Sequence, residues 1–308
     1  MNHPKDNTRI TVALLTVQLL FGIHYLAAKL IVAEIPSPAW ATLRVLLSAA
    51  VLLTIALIAK RKFPNKRDTL ILAGCSLFGV GLNQAFFLEG ISRTTGGHAA
   101  LLNSQIPVFT LIIALLVGQE KLTLKKFISF ALGAAGVLIL LEVDNFNPDK
   151  TMFVGDLFNI ANALSFAIFV VISRRVISRN DPLASTTVLF LAGSVWMVAY
   201  GGKEMLACDY SILSSTAIWS IVFTVLGATV GTYLLNYWAL ARTKATHVAL
   251  YIFLQPVIAT ILDVVVMKET LGWRFPIATV LVLGALLFIN KEARPAETPV
   301  TTGRAKVG

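Results

Sequence analysis

The residues able to do chemistry are few, and they are dispersed. Four histidines, two cysteines and 16 carboxylates are spread over 308 residues. Cys75 and Cys208 lie in different segments, with no spacing suited to a metal or a disulfide framework. No HExxH helix, phosphate loop, paired-aspartate motif or serine-hydrolase elbow occurs. The reading is therefore no enzyme, with no catalytic residue, no metal and no cofactor. What remains is binding chemistry, carried by polar side chains inside otherwise apolar stretches. Gln18, Gly22, Tyr25 and Lys29 recur at four- and three-residue steps, which puts them on one helix face. Asn83 and Gln84 sit together in another stretch, Gln105 and Gln255 each stand beside a proline, and Asn159 and Asn162 share a third. Singly, each such residue could be a contact that holds two helices together. As a set converging toward mid-depth, they predict a polar cavity able to bind a zwitterion or similar metabolite.

Charged and aromatic residues frame that set. Lys29 lies near a helix end, where it could snorkel to the interface. Arg44 is a similar case, or it could hold an anionic substrate group. Phe21, Phe86, Phe87, Tyr237, Trp238 and Tyr251 could form walls or gates, or face lipid and packing. His98 and His247 begin their stretches and could titrate near neutral pH in a vestibule or anchor helix ends. Glu120 and Glu269 precede helices and suit the positive end of the helix dipole. Gly227 and Gly231 form a small-xxx-small pair for close helix contact, within the chain or in a homodimer.

These residues need elements to position them. Hydrophobic residues make up 56% of the chain and charged ones 14%, against about 25% charged in a soluble domain, and the mean hydropathy is +0.78. The solvent for most of the surface is then lipid. A bilayer crossing takes about 20 apolar residues, and ten candidates are legible at 10–32, 39–59, 69–91, 96–118, 124–141, 155–177, 185–202, 212–240, 246–267 and 274–290. The net charge of +10 reads as topology and not as a nucleic-acid footprint, because the basic residues sit in the short connections. With the N-terminus inside, 19 of the 26 Lys and Arg fall in inside segments, five in outside ones, and Lys29 and Arg44 within spans. By the positive-inside rule both termini face the cytoplasm.

The fourth and ninth stretches repeat each other. His98 and His247, Pro107 and Pro256, Arg93 and Arg242, and Glu120 and Glu269 all share an offset of 149. Five spans per half make the halves opposite in orientation, an inverted repeat of the kind in which secondary transporters hold their site at the repeat interface. The division predicted is 1–142 and 143–292, with 293–308 as a disordered cytoplasmic tail. Each proline should free the carbonyl four residues back, of Asn103 and of Ile252. At about ten residues into its span, or about 15 Å, each kink falls near the midplane of a core about 30 Å thick. Irregular backbone is tolerated there where it faces protein or a water-filled cavity.

Two further features carry a resemblance. Pro-Val-Phe-Thr at Pro107–Thr110 and Pro-Val-Ile-Ala at Pro256–Ala259 are each followed, thirteen residues after the proline, by Glu120 in Gln-Glu-Lys-Leu-Thr and by Glu269 in Lys-Glu-Thr-Leu. In these the chain resembles the EamA-type transporters of the drug/metabolite transporter superfamily, along essentially its whole length as two tandem halves. It departs from the family at Phe21–Tyr25, where a tryptophan and an asparagine are frequent, at Gln119 and at Lys268. The resemblance implies ten helices, both termini inside, and transport of metabolites such as amino acids, often outward. The expected protein is an all-α, multi-pass protein of the cell membrane, with a bacterial inner membrane as its setting. Its partners are a small-molecule substrate and the lipid bilayer, with no nucleic acid. A channel is the alternative, but rings of like charge and repeated filter loops are missing; a membrane-embedded enzyme ranks lower still.

Overall fold

The computed structural model describes residues 4–94, 96–140, 150–258, 261 and 273–293. Asp263, a carboxylate inside the ninth apolar stretch, lies outside the described residues, as do Glu269, the boundary at 142–143, the tail beyond 293 and the side chain of His98. Within them every regular element is a helix. In chain order these are α1 Pro4–Val32, α2 Ser37–Ile58, α3 Lys66–Arg93, α4 Gly96–Asn103, α5 Ile106–Leu116, α6 Leu124–Leu140, α7 Lys150–Ile177, α8 Pro182–Ala207, α9 Ser215–Leu240, α10 Ala245–Ile258 and α11 Arg274–Ala293. Six of the described helices, α1, α2, α3, α7, α8 and α9, are long and apolar enough to cross a membrane, and α5, α10 and α11 are shorter apolar helices.

Local chemistry sets the helix ends. The Asn65 side chain accepts from the Asp68 N–H at 2.9 Å, and Ser214 Oγ accepts from the Ala217 N–H at 3.1 Å. These are N-caps of the preferred residue types. Asp181 caps α8 in the same way, ahead of Pro182 at the first helical position. Gly118 follows α5 at φ 66°, a left-handed conformation that glycine takes without a Cβ penalty.

The 149-residue offset recurs in the backbone. Helix α3 begins at 66 and α9 at 215, their caps at 65 and 214. Each is interrupted by a π-helical turn, Leu77–Leu82 in α3 and Leu226–Gly231 in α9, again 149 apart. A π turn widens the helix and frees carbonyls from the regular ladder. The carbonyl of Gly79 accepts from Tyr233 Oη at 3.1 Å. Its counterpart Ala228 accepts from Thr232 Oγ1 at 2.8 Å.

Both proline positions break their helices. The α4–α5 stretch loses helical form at Ser104 and Gln105, just before Pro107. In α10 the turn Tyr251–Phe253 tightens to a 3₁₀ form, just before Pro256.

Elements at the same offset also pack together, α2 on α8 and α6 on α11. The α2–α8 contact is close. A Cβ on Gly201 would come 2.2 Å from the Pro38 carbonyl oxygen, and beside it Thr42 Oγ1 lies 2.8 Å from the Met197 carbonyl. Gly227 and Gly231 face Leu20 of α1, within the chain.

The connections group at two ends of the bundle. At one, Asp68 pairs with Arg179 and accepts from Asn180. There Glu120, nearly buried, accepts from Lys126 Nζ at 2.8 Å and Thr246 Oγ1 at 2.6 Å, and so ties the start of α6 to the start of α10. At the other, Glu34 accepts from the N–H and hydroxyl of Ser214.

Candidate functional site

Inside the bundle is a cavity of about 70 Å³, lined from α1, α2, α3, α4, α5, α7, α9 and α10. One water needs roughly 10–15 Å³, so the space takes several waters or the polar end of a small solute. Its wall contains Gln18, Tyr25, Arg44, Asn83, Gln84, Asn162 and Gln255 from the sequence-predicted set. It also contains Phe21, His24, Phe87, Asn103, Ile106, Phe166, Tyr233, Asn236 and Ile252. Gln18, His24, Arg44, Gln84, Asn103 and Asn162 are each 3% exposed or less, which places them in the protein interior and away from lipid.

Eight of these side chains form one continuous hydrogen-bonded chain. Gln84 Nε2 donates to Tyr233 Oη at 2.9 Å, and the Tyr233 hydroxyl shares its single hydrogen between the Gly79 carbonyl at 3.1 Å and Asn83 Oδ1 at 3.2 Å. Asn83 Nδ2 donates to Asn162 Oδ1 at 2.6 Å, and Asn162 Nδ2 to Asn103 Oδ1 at 2.5 Å. Asn103 Nδ2 donates to Tyr25 Oη at 3.1 Å, Tyr25 Oη to Gln255 Oε1 at 2.9 Å, and Gln255 Nε2 to Gln18 Oε1 at 2.8 Å. Every link runs in the same direction, so each bond polarises the next. The chain passes repeatedly between helices before residue 142 and helices after residue 153. Gln84 and Tyr233 are themselves 149 residues apart.

A second, charged group adjoins this chain. Arg44 Nε donates to Thr229 Oγ1 at 2.7 Å, Nη2 lies 3.5 Å from the Ala228 carbonyl, and Nη1 lies 3.1 Å from His24 Nε2. The His24 Nδ1 is 3.4 Å from Thr224 Oγ1. Thus the second π turn supplies two of the three acceptors around the guanidinium. Asn236 Oδ1 is buried in the same wall and accepts no hydrogen bond from the described residues.

The remaining predicted residues lie elsewhere. Gly22 is buried but off the lining, and Lys29 is half-buried in the last turn of α1. The α1 face turned to the cavity is Gln18, Phe21, His24 and Tyr25, rotated from the predicted stripe. Arg44 is too deep to snorkel. Gln105 sits in the α4–α5 break, half-buried. Asn159 packs against Gly90 and donates to the Gly155 carbonyl at 3.0 Å, within its own helix. Tyr251 stacks on His247, ring centroids 5.7 Å apart, and its hydroxyl bonds to Thr11 Oγ1 at 3.3 Å. Pro107 and Pro256 are buried, and it is their neighbours Ile106 and Gln255 that reach the cavity. His24, Asn103, Tyr233 and Asn236 were not picked out as site residues. His24 was visible as an ionisable residue in mid-span, and Tyr233 as the repeat partner of Gln84. Among the described residues, no group of three or more His, Cys, Asp or Glu is arranged to hold a metal ion.

Comparison with known proteins gives this geometry a family. The model of the EamA-like transporter family matches twice, over residues 8–142 and 153–291. The uncharacterized transporter YetK of Bacillus subtilis (strain 168) is 26% identical over 294 residues, covering 94% of this chain and 89% of YetK. YoaV of the same organism, also an uncharacterized transporter, is 23% identical over 281 residues, 91% of this chain and 94% of its own. A solved crystal structure of a protein 16% identical overlays with a TM-score of 0.74, over 96% of this chain and 100% of that one, which speaks for the fold alone. Matched by the family model along both portions of its length, the chain is a multi-pass membrane protein that belongs to the EamA-like transporter family.

Proposed function

We propose that this protein is a secondary transporter that moves small metabolites, amino acids among them, outward by alternating access at the buried cavity. The observation that carries this reading is the one-directional chain of amides and phenols from Gln84 to Gln18. It joins both portions of the molecule around the buried cavity. A shared polar seam of this kind is what two rocking units need on either side of a fixed site. The 149-residue register of caps, π turns and packed helix pairs supports two units, residues 1–142 and 143–292, related as inverted repeats with ten crossings. The pairing of connections end by end, Asp68 with Arg179 and Glu34 with Ser214, supports both termini on one side, read as the cytoplasm. A bacterial inner membrane is the setting inferred.

Counterflow in proteoliposomes tests the reading. Vesicles loaded with pooled unlabelled amino acids should take up labelled ones faster than empty vesicles do. A conductance in the same vesicles, without exchange, would replace the carrier by a channel.

A further inference from the structure

A buried charge is costly unless something opposite pairs with it. Arg44 is 1% exposed, and a guanidinium keeps its proton at neutral pH. Yet its partners are a hydroxyl, a carbonyl and an imidazole nitrogen, all neutral acceptors. The ion pairs among the described residues are Arg61–Asp181, Arg93–Glu89, Lys126–Glu120 and Arg179–Asp68, and Arg44 is in none of them. Among the described residues, the cavity wall contains Arg44 and no carboxylate. Of the five N–H donors a guanidinium carries, three are engaged, which leaves two. The charge also has no mate in the repeat. The position 149 residues on is Gly193, where a Cβ would meet Val80 at 2.5 Å. A structural arginine would be expected to have a fixed anion or to reach the surface, and among the described residues this one does neither.

We propose that Arg44 is the anchor for a carboxylate on the transported molecule, so that the substrates are organic acids or amino acids and not organic cations. The proposal rests on the carrier reading and narrows it. Arg44 supplies a charge-assisted, two-pronged contact of the kind guanidinium groups make with carboxylates. Asn236 Oδ1 in the same wall takes a donor from the same molecule, a hydroxyl or an ammonium. Phe21, Phe87 and Phe166 cover its apolar part.

The test uses matched trios that differ only in the charged group: phenylacetate, phenylacetamide and phenethylamine, and leucine, leucinamide and isopentylamine. Counterflow in proteoliposomes and binding to the purified full-length protein, followed by tryptophan fluorescence, are measured for wild type, Arg44→Gln and Arg44→Lys. Each variant is first checked for a monodisperse, wild-type-like elution in detergent. The expected result is exchange of the carboxylate at least about tenfold better than the amide, with that preference abolished in Arg44→Gln. Arg44→Lys, which keeps charge but not the fork, should retain part of it; this keeps the test open should the glutamine variant misfold. Equal exchange of carboxylate and amide, exchange confined to the amine, or an unchanged preference in Arg44→Gln overturns the assignment and leaves the carrier standing. Carboxylate binding that depends on Arg44 without exchange supports the anchor and overturns the carrier. Neither binding nor exchange overturns both.

Discussion

Asn162 and Asn159 lie three residues apart on α7 and do different work. Asn162 carries two of the shortest links in the buried chain, to Asn83 and to Asn103. Its replacement by leucine strands an acceptor on one neighbour and a donor on the other, at about 1–3 kcal/mol for each group left unpaired. The expected outcome for Asn162→Leu is a lower unfolding temperature and counterflow slowed by at least about tenfold, since 1.4 kcal/mol is a factor of ten. Among the described residues Asn159 bonds within its own helix, so Asn159→Ala should exchange at close to the wild-type rate. Comparable loss in both variants would remove the chain from the mechanism. Tyr25 is the hinge between the two ends of the chain, accepting from Asn103 and donating to Gln255. Tyr25→Phe should weaken exchange while leaving the apolar packing of its ring against Phe87 in place.

At the scale of elements, the contacts that hold helices in register are small and specific. Gly201 lets α8 touch α2, and Gly201→Ala inserts a methyl against a backbone oxygen that cannot rotate away. Overpacking of this kind costs about 1–3 kcal/mol, seen as a lower melting temperature in detergent. Glu120 and Lys126 are 4% and 3% exposed. Removing one partner of such a buried pair costs about 3–5 kcal/mol, so Glu120→Ala should melt well below wild type. Arg61 and Asp181, 3.4 Å apart with Arg61 half exposed, make the contrasting case. Arg61→Ala should change stability by about 0–1 kcal/mol. Glu34 gives the pH signature of the opposite end. Hydrogen bonds from the Ser214 hydroxyl and N–H hold its carboxyl below the usual value. With the folded value depressed, its contribution is present above the ordinary carboxylate range and is lost as pH falls through the lowered one. Melting curves of wild type and Glu34→Gln should therefore converge on acidification.

For the whole molecule the quantity to measure is sidedness. In a chain whose Cys75 and Cys208 are replaced by serine, Ser211→Cys should react with a membrane-impermeant maleimide added to intact cells. Lys121→Cys should react only after the membrane is opened. The reverse pattern would invert the proposed orientation. The tie from Glu120 to Thr246 belongs to the Lys121 face and the tie from Glu34 to Ser214 to the Ser211 face.

Composition, charge placement and the recurrence of His, Pro, Arg and Glu at one offset read as a helical membrane protein in two related halves, and the Pro-Val stretches with the glutamates thirteen residues on carried the resemblance to the family. The reason is physical: a lipid solvent forces long apolar helices, and a duplicated architecture keeps its costly residues in register. The pair of prolines likewise announced two broken helices, because a missing N–H acts locally. What the sequence could not state was rotation and partnership. Gly22 and Lys29 share a stripe with Gln18 and Tyr25 on a helical wheel, yet packing turned α1 so that Phe21 and His24 face the cavity. Asn159 and Asn162 look equivalent in a list of polar residues, and only the approach of Asn83 and Asn103 singles out Asn162. Arg44 reads equally as an interfacial cation or as a holder of an anionic group, until the fold buries it and brings Thr229 and His24, 185 and 20 residues away, around its guanidinium. Side-chain chemistry is written in the chain, but the neighbours that complete a buried hydrogen-bond network come from distant helices, and their juxtaposition is decided only when those helices pack.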